Sequence, residues 1–183
     1  MDKPQFPDEY KNLLDIDRIL KETNTTNLKV TLKKDPTKGT GLYTTKSIKK
    51  GEIIAYYKLK TVKYHNYKSP TNLVYAFDVY TIKGNESKML IADIDLTCIP
   101  QPVNDIPYWG LFTNEPSLEQ QINSEIDTAI NYNYKNRTYI KEGVYIRYNL
   151  MATRYINPEE EIVMYYGNIY PRTYSINEQI SWV

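Results

Sequence analysis

A chain of 183 residues is long enough for one domain with a buried core and short flanks. Its 23 basic and 22 acidic side chains leave a formal charge of +1, so nothing in the balance calls for direct nucleic-acid binding. One cysteine, Cys98, and one histidine, His65, exclude an intramolecular disulfide, a cysteine-rich zinc cluster and a multi-histidine metal site. No apolar run approaches the roughly 20 residues of a membrane span. The start, Met1-Asp2-Lys3-Pro4, lacks the apolar stretch of a secretory signal. The expectation is an intracellular protein, nuclear or cytoplasmic, with no metal and no membrane partner. His65, within Tyr64-His65-Asn66-Tyr67, reads as a surface residue. The 19 tyrosines accompany abundant Asn, Lys and Ile, a set encoded by AT-rich codons, as in a large DNA virus or a protist. Most of them are expected on half-buried strands with the hydroxyl reaching water.

In chain order, Pro7 to Leu20 predicts an amphipathic helix, with Tyr10, Leu13, Ile16 and Leu20 at helical spacing. It either covers the core or serves a homodimer contact. Asn24 to Asn27 is a polar break and a natural boundary, giving a helical flank over 1–27. Beyond it the chain reads as short strands and turns. Leu28 to Leu32 alternates. Ile53 to Tyr57 is a compact apolar run. Leu73 to Ile82 is aromatic and β-branched, and Gly84-Asn85 turns it into Met89 to Ile94. Val144 to Tyr148 is another strand. Pro100 to Pro107 and Asn114 to Asn123 read as irregular. The class is mainly β with few short helices.

Two stretches stand out. Lys38-Gly39-Thr40-Gly41-Leu42 is either a glycine turn or a place where backbone approaches a bound group, since glycine has no Cβ. Ile156 to Gly167 is a charged turn, Pro158 to Glu161, that leads into an apolar strand.

Taken in order, these stretches resemble the SET domain of protein lysine methyltransferases, over about 28–167. Lys38 to Leu42 resembles the family's first motif. Ile48-Lys49-Lys50-Gly51-Glu52 and the strand ending in Tyr57 resemble its sequel. Tyr75-Ala76-Phe77-Asp78 and Asp93 resemble the next strands. Leu111-Phe112-Thr113-Asn114-Glu115, with Asn123 downstream, is similar to the asparagine motif, though Leu111 replaces an arginine and Glu115 a histidine. Ile156 to Gly167 resembles the last motif, with Tyr165 in place of the usual aspartate. The build resembles small viral members that lack zinc-binding flanks.

The resemblance implies a β-clip fold of several small sheets with a knot-like crossing of the last motif past the asparagine segment. It implies S-adenosylmethionine as cofactor, held by Lys38, Gly39, Thr40, Gly41, Leu42, Asn114, Glu115 and Tyr166. Tyr166 and Tyr57 become the catalytic candidates, and Tyr57, Tyr75, Phe77, Met164 and Tyr165 the walls of a lysine channel. The tail over 168–183 would cover that channel, with Trp182 as its aromatic. The implied partner is a protein with a target lysine, a histone or another protein.

An apolar channel suits that reaction because the lysine amine must be neutral. Its unperturbed pKa is about 10.4, and desolvation lowers it. Met164 brings no hydroxyl to a position that influences how many methyl groups are added, so the product is not expected to stop at monomethyl-lysine. Lys58 and Lys60 stand where acidic residues are usual, which weakens the case for a very basic substrate peptide. Two further readings stay open. One is a non-catalytic SET-like binding module, favoured by the changes at Leu111 and Glu115. The other is a nucleic-acid surface built on Lys33, Lys34, Lys38, Lys46, Lys49 and Lys50, a set that more simply forms a solvated face.

Overall fold

The structure, a computed structural model, describes residues 8–11, 13–63, 65–69, 71, 73–127, 140–167, 170 and 172–177. The expected N-terminal helix is two pieces, α1 (Asp8–Lys11) and α2 (Ile16–Glu22). The break has a local cause. Asp15 caps α2, its carboxylate accepting from the Arg18 N–H at 3.0 Å, so a new helix starts there. The apolar stripe packs inward: Ile16 and Ile19 are buried, and Tyr10, Leu13 and Leu20 are partly buried against the core.

Two antiparallel sheets follow. β1 (Val30–Asp35) and β2 (Gly39–Thr44) form a hairpin with Leu32 opposite Leu42. Asp35 shapes its turn, one carboxylate oxygen accepting from the Thr37 and Lys38 N–H groups at 2.7 and 2.8 Å. Gly39 supplies the positive φ, +76°, that ends the turn. The glycine stretch is therefore a strand, which its composition does not announce.

The larger sheet joins β3 (Ile53–Val62), β4 (Phe77–Lys83), β5 (Glu86–Ile94), β6 (Ser124–Asp127) and β7 (Tyr145–Ala152) in the order β4-β5-β3-β7-β6. β3 is central, which explains its continuous apolar sequence. It runs on past Tyr57 to Val62, because pairing with β5 and β7 carries Lys58 and Lys60 along as strand residues. Residues 73–75 form a turn, so β4 begins only at Phe77. Lys58 is neutralised by Asp95, while Lys60 lies over the exposed Tyr145 ring at 5.5 Å.

The C-terminal segment threads between earlier pieces of chain. Ile156 bridges Ile48, and Glu161 bridges Tyr43. The Ile162 N–H donates to the Leu42 carbonyl at 2.8 Å, and the Met164 N–H to the Asn114 carbonyl at 2.9 Å. Asn123 grips the same segment from the far side: its amide donates to the Glu161 carbonyl at 2.7 Å and accepts from the Val163 N–H at 2.9 Å. The charged turn before it is set by Glu159 at φ +67° and by Thr44, whose hydroxyl donates to the Asn157 carbonyl at 2.6 Å. The expected knot-like crossing is thus present, and Leu42, Ile156, Ile162 and Trp109 are buried around it.

Burial pushes the Asp95 carboxyl up, but the Lys58 ammonium and the Thr97 hydroxyl outweigh it and hold it below the usual range. A carboxyl lowered on folding stabilises above its unfolded pKa, and the benefit is lost as pH falls through the folded value. Asp95→Asn is therefore expected to be less stable than the native chain at neutral pH. The gap should close as the pH drops below about 4, which urea unfolding across pH would show. A gap unchanged down to strongly acidic pH would contradict the assignment. Among the described residues, no helix is long and apolar enough to cross a membrane.

Candidate active site

A cavity of about 620 Å³ opens where β3, β4, β6 and the C-terminal segment meet. Tyr57, Tyr75, Phe77, Met164, Tyr165 and Tyr166 all line it, although they come from three distant parts of the sequence. Trp182 lies outside the described residues, and Tyr170 lines the cavity from the tail, its ring 4.7 Å from that of Tyr166. Tyr57 meets Phe77 edge-on at 5.7 Å, and Phe77 meets Tyr148 at 5.4 Å. Such edge contacts fix ring planes as well as bury area.

Gly110 decides where Tyr57 sits. It lies in a short 3-10 helix (Gly110–Phe112), and a Cβ there would stand 2.5 Å from the Tyr57 ring. Gly110→Ala must therefore displace the ring or the backbone. A loss of about 1–3 kcal/mol of stability is expected, with altered near-ultraviolet circular dichroism from the moved tyrosine. A variant with native stability and an unchanged spectrum would show that the wall yields freely.

The phenols are held neutral. Burial pushes Tyr57 up, with a hydrogen bond to the Thr113 side chain acting the other way. Burial, then the neighbouring Tyr57 and Tyr75, raises Tyr166. Tyr75 rises for the same reason. None of these groups can act as an ionised base near neutral pH, so they serve as hydrogen-bonding walls. The Tyr166 hydroxyl donates to the Thr113 carbonyl, and the Tyr57 hydroxyl makes a long contact, 3.8 Å, to the Met164 sulfur. Among the described lining residues Glu125, exposed at the rim, is the one charged side chain. Thr113 is buried beside Tyr57.

On the other side of Glu115 lies a second hollow of about 390 Å³, lined by Lys38, Glu115, Pro116 and Tyr174 among others. Of the expected cofactor residues, Lys38 and Glu115 reach it. Lys38 forms a largely buried ion pair with Glu161 at 2.9 Å and also donates to the Glu115 carbonyl at 3.2 Å. Asn114 donates to Glu161 at 3.0 Å and more loosely to the Thr40 carbonyl at 3.4 Å. A Cβ on Gly41 would meet Tyr43, Asn114 and Glu161 at 2.9, 3.0 and 3.2 Å, so the glycine admits protein groups whatever else it admits. The Leu42 side chain is fully buried in the core. Tyr166 lines the aromatic cavity, and its N–H donates to Glu115 at 2.9 Å.

Glu115 is the centre of a cluster that motif reading missed. Its carboxylate takes a forked contact from Arg172, with Nε at 2.8 Å, and accepts from the Tyr174 hydroxyl at 2.8 Å. Arg172 also donates to the Gly167 carbonyl at 2.8 Å, tying the tail to the last motif. The one available signal is that Arg172 is the only basic residue among the 16 after Gly167. Leu111, standing where an arginine is usual, is buried in the core.

The SET domain family model matches residues 39–167. Two solved structures show similarity to this chain. A Plasmodium falciparum candidate histone methyltransferase is 20% identical, with a TM-score of 0.43, covering 76% of this chain and 94% of its own. The Cryptosporidium protein CpSET8 is 16% identical, with a TM-score of 0.42, covering 92% of this chain and 69% of its own. No curated protein matches the sequence. The matched span is well over half of the chain and takes in β2 and the threaded segment, and the chain belongs to the SET-domain family.

Proposed function

We propose that this chain is a protein lysine methyltransferase that uses S-adenosylmethionine. The observation that carries the reading is the aromatic cavity, in which Tyr57, Tyr75, Phe77, Met164 and Tyr166 converge beside a second hollow across Glu115. A lysine side chain suits the first space: four methylenes against aromatic walls and an amine at a cluster of hydroxyls. Glu125 at the rim attracts the ammonium before it enters. Past Glu125, the one charged side chain among the described lining residues, desolvation favours the neutral amine that can attack. The Tyr166 hydroxyl, with its proton given to the Thr113 carbonyl, presents its oxygen as an acceptor. It orients an N–H or a polarised C–H at the reacting centre, and such positioning accounts for much of the rate in a displacement.

The second hollow fits a zwitterionic nucleoside cofactor in its donor set. It offers the Tyr174 ring and main chain around Glu115 and Pro116, with Lys38 held in its wall by Glu161, Gln120 and the Glu115 carbonyl, and Gly39, Thr40, Gly41 and Asn114 adjoining through the Lys38–Glu161–Asn114 contacts. S-adenosylmethionine, when bound, supplies a methyl group activated on a sulfonium. The substrate is a protein, a histone or another, and Met164 leaves room for more than one methyl group.

Incubation with labelled S-adenosylmethionine and either core histones or a cell lysate tests this. Label on a lysine of a protein band supports the reading. Absence of label from every protein, with the cofactor bound, would favour the non-catalytic binding module. The observation on that side is that Arg172 and Tyr174 already occupy the Glu115 carboxylate, while Leu111 offers no charge. The nucleic-acid surface has less support, since Lys33, Lys34 and Lys38 each pair with a carboxylate.

A further inference from the structure

Resting on the methyltransferase reading, we propose that Leu73 is a specificity-determining residue that binds an apolar side chain next to the target lysine of the protein substrate. Leu73 has φ +64°, in the left-handed region that a side chain with a Cβ adopts only at a cost. Among the described residues, the other non-glycine positions of this kind are Asn66, Asn104, Asp105 and Glu159, all polar. The turn is held in that shape. The Leu73 N–H donates to the Ser69 hydroxyl oxygen at 2.9 Å, and its carbonyl accepts from the Ala76 N–H at 3.1 Å. Ser69 donates in turn to the Asp93 carboxylate at 2.6 Å, and the Tyr67 hydroxyl does so at 2.8 Å. Asp93 is 1% exposed on β5, so the strained turn is moored to the sheet.

The result is a leucine at the cavity mouth. Leu73 lines the aromatic cavity, is 39% exposed and lies outside the hydrophobic core. A backbone strained to leave a large apolar side chain partly in water does not serve the core, and strain of that kind collects where ligands are clamped. The chemistry of the ligand follows from the neighbours. Tyr57, Tyr75 and Phe77, less exposed than Leu73, face the methylenes of the lysine itself. Leu73 stands at the lip, where residues one or two positions away in the peptide pass, and its isobutyl group offers them apolar contact alone. Its turn leads into β4, one edge of the larger sheet, while Glu125 lies on β6, the other edge. The mouth therefore has an apolar border and an acidic one, and the apolar neighbour of the lysine belongs on the Leu73 side.

Leu73→Gly removes strain and side chain together. Glycine accepts this backbone conformation freely, so the melting temperature should equal or exceed the native value. Peptides built on the lysine labelled in histones or lysate supply the second readout, with leucine or serine placed at each of the two positions on either side. At one or more of these positions the native protein should show a KM about tenfold lower with leucine than with serine, the worth of covering one apolar side chain. In Leu73→Gly the difference should fall to about twofold or less, the loss appearing in KM and not in kcat. Leu73→Met, unbranched but apolar, should retain the preference. Equal KM values for leucine and serine at every position, or a preference unchanged in Leu73→Gly, overturn the role of Leu73 and leave the methyltransferase reading intact. A clear drop in melting temperature in Leu73→Gly overturns it too, since the leucine would then serve the fold. A native protein that labels no lysine in any protein overturns both.

Discussion

Replacing Arg172 with alanine is expected to remove about 3–5 kcal/mol of folding stability, because it strands a buried carboxylate. The Glu115 side chain is 1% exposed and that of Arg172 14% exposed. The surface pair Lys34–Asp17, at 68% and 79% exposure, belongs to a class worth about 0–1 kcal/mol. Burial is what separates the two. Glu115 would keep the Tyr166 N–H and the Tyr174 hydroxyl as donors but no cation. Adding Glu115→Gln to Arg172→Ala should recover much of the loss, since no charge is then left unpaired. Urea unfolding of the single and double variants measures this. A loss below about 1 kcal/mol in Arg172→Ala would mean that the pair behaves as an exposed one.

Tyr166→Phe is expected to lower methyl transfer by about 100-fold or more while leaving the fold in place. The ring keeps its packing against Tyr170, and the lost hydrogen bond to Thr113 should cost about 1 kcal/mol. Cofactor affinity should change little, because the hydroxyl points to the Thr113 carbonyl in the aromatic cavity. Calorimetric titration with S-adenosylmethionine beside a rate assay separates the two effects. A variant that transfers methyl groups at near-native rate would remove Tyr166 from the chemistry.

Much of the architecture was legible because local pattern and burial agree. The alternation in Val30 and Leu32, the apolar run of β3 and the Gly84-Asn85 turn each report a constraint that acts within a few residues. The cavity walls were legible only through motif order, since spacing alone cannot say that Tyr57, Phe77 and Tyr166 meet. Features missed were long-range or conditional. β2 looks like a glycine loop until β1 supplies its partner, and the short β6 is held by β7. The Glu115–Arg172 contact joins residues 57 positions apart, and at sequence level Glu115 reads only as a departure from the motif.

The central claim is that this cavity methylates lysine. The most direct measurement is mass spectrometry of histones and lysate proteins incubated with S-adenosylmethionine and either the native protein or Tyr166→Phe. The account predicts a mass increase of one or more methyl groups, localised to a lysine side chain, with the native protein and not with the variant. Unmodified lysines throughout, or equal modification by both proteins, would contradict it.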